Sequence, residues 1–347
     1  MGGFDDMNKI KNNIVLFAFV CVTAVLMSVL LVNYGIVKAT RSDNPGAKDY
    51  VKWMEFNFRF STLQKALKYD IDSYGTETPL NWIELLSYGA TKNWGNLKEE
   101  KKINKEIDDL VKKLRSGKTI EELTENNKNM KLYGYYYETF YAVLNGFVGE
   151  YELVENGETV KKYGLKVFSP IARGYGYSHY DDFGNSRSYG YRRKHLGNDL
   201  LGSVGTPIIA VEDGSVEALG WNQYGGWRIG IRSSDGRRYY YYAHLRKDHP
   251  FAAGLKEGGS VQGGDVIGYL GMTGYSSKEN TNNIKIPHLH FGLQIIFDEV
   301  QKDGINQIWI DVYNIVNLLE KNRMSVEKNA EGTDWQRTKI INNIVTD

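Results

Sequence analysis

The chain has 347 residues, with 43 Lys and Arg against 42 Asp and Glu, and 13% of it is aromatic, chiefly 25 tyrosines. That length allows two domains and a sizeable mixed core, while the balanced charge argues against a nucleic-acid partner, since no basic excess is available to neutralise phosphates. A single cysteine, Cys21, excludes an internal disulfide and a thiolate-built metal site.

After a tail over residues 1–13, residues 14–32 form an apolar run interrupted only by Thr23 and Ser28. Such a run is long enough to cross a bilayer as a helix, and a transmembrane anchor is expected over 14–37. A signal peptide cleaved after Ala39 is the alternative. Ala18-Phe19-Val20 lack the small residue that a lipoprotein cut before Cys21 needs. Charge does not orient the span, because Lys9 and Lys11 precede it while Lys38, Arg41 and Lys48 follow. A polar linker with Pro45 and Gly46 covers 38–48.

Residues 49–150 read as a small helical domain. Ile103, Ile107, Leu110, Val111 and Leu114 put one apolar stripe on a helix otherwise rich in Lys, Glu and Asp, and Gly117 ends it. Thr119 and Glu122 have capping-box spacing for the next helix, and Pro79 stands at the first turn of the one holding Trp82, Leu85 and Leu86. Glu84 lacks the second carboxylate that glycan cleavage needs, so it reads as a glutamate on an amphipathic helix.

From about residue 150 glycine becomes frequent and apolar runs shorten to strand length. Residues 206–211 and 214–219 flank Glu212-Asp213 as an expected hairpin. Further strands are expected over 227–232, 239–244, 266–270 and 287–296, a helix over 308–319, and little order beyond Lys321. The fold class is α+β: an N-terminal membrane helix, a small α-helical domain, an antiparallel β domain over 160–325, and a polar tail over 326–347.

Three stretches of that β domain carry metal chemistry. His288 and His290 are two residues apart in a strand-like run and so share one face, where they could meet a metal or simply bond backbone carbonyls. His195 and Asp199 bracket Gly197 at a spacing that lets both chelate one ion, and His244 closes a run of four tyrosines. The order His-x-x-x-Asp, Tyr-Ala-His-Leu, His-Leu-His-Phe resembles the LytM/lysostaphin-type M23 zinc metallopeptidases. The glycines of 205–210 and of Gly271-Met272-Thr273-Gly274 are in register as well, and the resemblance covers roughly residues 165–300.

With the apolar run read as a membrane anchor, the resemblance implies a zinc endopeptidase acting on peptide bonds of bacterial peptidoglycan outside the membrane. It implies Zn2+ held by His195, Asp199 and His290, with His244 and His288 catalytic. Two departures from its pattern stand out. Gly292 occupies the position where members often carry glutamate, which predicts a missing carboxylate beside the metal ligands, and Asn198 replaces the usual apolar residue. A glycine-rich loop with Tyr175, Tyr177, Tyr180, Tyr189 and Tyr191 is a candidate groove wall. The competing reading is a non-catalytic wall-binding or scaffold protein on the same fold, serving a division, sporulation or conjugation assembly.

Overall fold

The structure, a computed structural model, describes residues 50–343 except 126 and 156. The expected anchor and linker lie outside the described residues, among which no helix is long and apolar enough to cross a membrane. From Met54 onward the described residues form one compact unit. Its helical part comprises α1 (Phe60–Ser73), α2 (Trp82–Lys92), α3 (Glu100–Arg115), α4 (Ile120–Thr124) and α5 (Tyr133–Leu144).

The α3 stripe behaves as its spacing predicts: Ile103, Ile107, Leu110 and Val111 are buried, each worth roughly 1.5–3 kcal/mol of transfer free energy. Thr119 and Glu122 form the expected capping box on α4. The start of α2 differs from expectation. Its N-cap is Asn81, whose side chain accepts from the backbone N–H groups of Ile83 and Glu84, which leaves Pro79 outside the first turn. Polar capping fixes the helix start, with the proline ahead of it.

The strands are β1 (Val148–Glu155), β2 (Glu158–Leu165), β3 (Ser178–His179), β4 (Ser186–Tyr189), β5 (Tyr191–Lys194), β6 (Asn198–Leu201), β7 (Pro207–Ile209), β8 (Gly214–Asn222), β9 (Gly226–Ser233), β10 (Arg238–Ala243), β11 (Ser260–Val261), β12 (Val266–Tyr269), β13 (His288–Ile295) and β14 (Ile308–Ile310). After helix α6 (Tyr313–Leu319) come β15 (Val326–Lys328), β16 (Trp335–Arg337) and β17 (Ile340–Asn343). The main antiparallel sheet runs β11-β8-β9-β10-β13-β6-β3, with β14 also on β13.

Alternation along β10 and β13 sorts their side chains. Tyr240, Tyr242, Leu289, Phe291 and Leu293 enter the core, and Tyr239, Tyr241, His288, His290 and Gly292 take the other face.

Three expectations are corrected. The segments flanking Glu212-Asp213 do not pair with each other: β7 pairs with β12, and β8 with β9 and β11. Glu212 is instead the partner of buried Arg238, accepting from its Nε at 2.6 Å and Nη2 at 3.0 Å. The segment 308–319 opens as strand β14 before turning helical, and the chain beyond Lys321 is ordered, β15 pairing with β16 and β17 with β1. Period-two pairing of a polar edge strand leaves little hydrophobic signal to read.

Helices and sheet share buried polar contacts. Arg238 Nη1 donates to the carbonyl of Ala142 at the end of α5, 2.9 Å away. Buried Asp70 of α1 accepts from Trp82 N at 2.9 Å and from Tyr163 OH of β2 at 2.7 Å.

Candidate metal centre and catalytic cleft

Strand register assembles the centre. On β13, His290 lies opposite Asp199 of β6 on one side and Ala243 of β10 on the other, so the residue after Ala243, His244, arrives beside the same cleft. His195 precedes β6 by one short turn. His195, Asp199 and His290 each offer a ligand atom, and these atoms lie within 4.8 Å of one another. His195 Nε2 is 2.7 Å from His290 Nδ1 and 3.1 Å from Asp199 Oδ1, and His290 Nδ1 is 3.4 Å from Asp199 Oδ1.

Asp199 Oδ1 is buried and makes no conventional hydrogen bond, although imidazole nitrogens surround it. Ligand atoms converging in this way, from two imidazoles and a carboxylate, fit a divalent cation of the zinc type.

The surroundings fix each ring. His195 Nδ1 faces both the backbone carbonyl and the carboxylate of Asp182, each at 3.2 Å, which turns Nε2 toward the centre. Burial alone would lower the His195 pKa, but its contacts with Asp182 and Asp199 outweigh this and push it up to about 9. Asp199 is shifted the other way: burial would raise it, yet the histidines around it hold it well below the usual carboxylate range. The His290 pKa is lowered, chiefly by burial, which outweighs the raising effect of Asp199.

His244 and His288 stand beside the trio without joining it. Their ring centroids are 4.8 Å apart, and His288 Nε2 lies 3.6 Å from Asp199 Oδ1. His244 Nδ1 bonds the Thr273 carbonyl at 2.9 Å, and His288 Nδ1 bonds the Ile286 carbonyl at 2.8 Å. A carbonyl only accepts, so Nδ1 carries the hydrogen in both rings and Nε2 is the nitrogen left free for the cleft. Burial, then His288 and His290, push the His244 pKa well below its ordinary value and keep the ring neutral.

The backbone of His244 is left-handed, at φ 64°. Its N–H donates to Gly225 O at 2.7 Å, in a turn that Asn222 Oδ1 braces by accepting from Tyr224 N and Gly225 N. The loop presenting Thr273 O needs Gly274: at φ +122°, a Cβ there would sit 2.6 Å from Tyr224 O and 3.0 Å from His244 Nδ1. Strain at His244 is thus held by its neighbours on both sides.

The structure brings all five expected site residues together and adds two that the motifs did not point to. Arg187, on β4, pairs with Asp182 and reaches Asp199 Oδ2 at 3.1 Å. Asp182 also accepts from the backbone N–H of Asp199 at 3.2 Å through its other oxygen. The sequence signal is faint, a carboxylate and an arginine in a loop dominated by tyrosines.

Of those tyrosines, Tyr189 and Tyr191 pack on Tyr224 at the cleft, whereas Tyr175 packs on Trp335 and Tyr177 bonds Glu320 elsewhere. Asn198, fully buried, donates to Tyr180 O and accepts from Val312 N. A polar side chain here ties the loop and the segment after β14 to the site strand, which an apolar residue could not do.

Residues 193–304 match the model of Peptidase family M23. This M23-type segment contains all five of these residues, while Asp182 and Arg187 precede it. The chain is 42% identical over 117 residues to the L-Ala--D-Glu endopeptidase of Bacillus subtilis (strain 168), covering 34% of each. It is 38% identical over 120 residues to the glycyl-glycine endopeptidase ALE-1 of Staphylococcus capitis, covering 34% of this chain and 28% of that one.

The chain therefore spans about a third of the length of these relatives. A crystal structure of a candidate glycyl-glycine endopeptidase lytM from Ruminococcus gnavus ATCC 29149 shares the fold with a TM-score of 0.50 and 20% identity, over 84% of this chain and 96% of that one.

Proposed function

We propose that this protein is a zinc endopeptidase that hydrolyses peptide bonds in the stem peptides or cross-bridges of bacterial peptidoglycan. It acts outside the membrane and is tethered there through residues 14–37. The observation that carries the reading is the convergence of His195 Nε2, Asp199 Oδ1 and His290 Nδ1 beside two further histidines, His244 and His288, each bonded through Nδ1 to a backbone carbonyl. The matched M23-type segment and the names of the relatives point to the same class.

His195, Asp199 and His290 would hold the zinc. When bound, that ion supplies Lewis acidity, polarising a carbonyl and lowering the pKa of water.

The rest of the chemistry belongs to the chain. His244 Nε2, neutral and aimed into the cleft, is the base that takes a proton from the attacking water. Its imidazolium then returns that proton to the leaving amine, and His288, when its Nε2 carries a hydrogen, shares the stabilisation of the tetrahedral oxyanion. Asp182 holds the His195 ring in the tautomer that exposes Nε2, and Arg187 spends its charge on Asp182 and on the oxygen of Asp199 that faces away from the centre.

The test is metal analysis together with a wall-hydrolysis assay on the full chain. Stoichiometric zinc with release of new amino termini from peptidoglycan is the expected result. Tight wall binding with no new termini would replace this reading by the scaffold one.

A further inference from the structure

The cleft contains a second arginine, Arg193 on β5, whose situation differs from that of Arg187. Arg187 is neutralised by two carboxylates, Asp182 and Asp199. The guanidinium of Arg193 lies between two tyrosine rings, 5.1 Å from the centroid of Tyr224 and 5.2 Å from that of Tyr275. Among the described residues no carboxylate or carbonyl accepts from it, and its Nη1 is buried without a partner. Arg193 lines the same cavity, of about 170 Å3, as His195, His244 and His290.

A guanidinium held planar between aromatic faces keeps its donor edge fixed, and a buried donor left unpaired is costly until something accepts from it. The other cations on that lining are Arg187, already paired with two carboxylates, and Lys194, which is exposed. The one carboxylate among the site ligands, Asp199, faces the metal centre. The cleft therefore carries an unspent, oriented positive charge beside the reacting groups.

We infer that Arg193 is the residue that reads a carboxylate on the substrate, next to the bond that is cut, through charge-assisted hydrogen bonds from its free edge. The inference rests on the endopeptidase reading and narrows it to acidic peptides of the L-Ala–D-Glu type, because a glycyl-glycine bridge has no side carboxylate to offer. Discrimination comes from pairing: an amide in the same place leaves part of the fork unpaired and brings no opposite charge.

The test uses the full chain and two soluble peptides, L-Ala-D-Glu-L-Lys-D-Ala linked through the γ-carboxyl with a free α-carboxylate, and the same peptide with that group as a carboxamide. Equilibrium binding is measured on the metal-free protein and kcat/KM on the zinc-loaded protein. The wild type is expected to favour the carboxylate at least tenfold in both measurements. Arg193→Gln should lose that preference by weakening on the acid alone, with the amide unchanged within about twofold, and Arg193→Lys should keep part of it.

Equal treatment of both peptides by the wild type, or binding of neither, overturns the inference, and so does an Arg193→Gln variant that weakens both alike. Cleavage without preference leaves the endopeptidase reading standing alone. Preferential binding without cleavage supports the carboxylate site and removes the endopeptidase reading.

Discussion

The site is built from two regions that contribute in different ways. The strands β6, β10 and β13 supply Asp199, His290 and His288 and deliver His244, in positions set by pairing register. The loop and hairpin over residues 180–194 supply Asp182, Arg187 and Arg193, which touch the ligands or the cleft wall. Two strands and the turn that carries His195 give the centre its atoms; hairpin residues give those atoms their direction and charge. The difference teaches that strand register and one tight turn can place a ligand set while its orientation is provided by a segment with no motif of its own.

The largest expected effects lie on the strands and on the turn that carries His195. Alanine at Asp199, His290 or His195 leaves two protein ligands, so the variant should lose zinc on dialysis near pH 7 and its turnover should fall to background. Alanine at His244 or His288 should leave zinc near-stoichiometric and lower turnover about 100-fold or more, the worth of a positioned acid-base group. Metal content separates the two classes where activity cannot. Zinc lost from His288→Ala but kept by His290→Ala would reverse the two strand histidines.

The hairpin comes next in size. Arg187→Ala removes the cation paired with Asp199 Oδ2 and Asp182, and Asp182→Ala removes the acceptor on His195 Nδ1. Zinc affinity should drop by about 10–100-fold in either variant, read by titration against a competing chelator, with the folded structure retained. Unchanged affinity in both would break the division of labour between strands and hairpin.

This division also explains what the sequence made legible. His195, Asp199, His244, His288 and His290 stand in short motifs because strand alternation and a tight turn demand fixed spacings, and spacing is visible in one dimension. The α3 stripe and the capping box at Thr119 are visible for the same reason. Asp182 and Arg187 act across a hairpin that touches the strands only in three dimensions, and nothing local marks them. Strand pairing shows the same limit. Neighbours in sequence around Glu212 looked like a hairpin, but Glu212 is held by Arg238 and Tyr240, contacts made at long range.

The smallest effect on function is expected at Gly292, where the comparison can be sharpened most. If the strand were meant to supply a carboxylate to the ligands, Gly292→Glu should raise zinc affinity. The structure gives the position no such room: a Cβ at residue 292 would sit 2.7 Å from the carbonyl of Leu196 and 3.0 Å from the ring of Trp309. The first neighbour is backbone of the turn that carries His195, so it cannot yield without moving a ligand. The carboxylate on His195 already comes from Asp182, on the hairpin side. Gly292→Ala should therefore cost about 1–3 kcal/mol in denaturant unfolding, the usual penalty for overpacking, while zinc stoichiometry holds. Gly292→Glu should cost at least as much and bind zinc no more tightly. A glutamate variant that is as stable as wild type and binds zinc more tightly would return the orienting role to the strand.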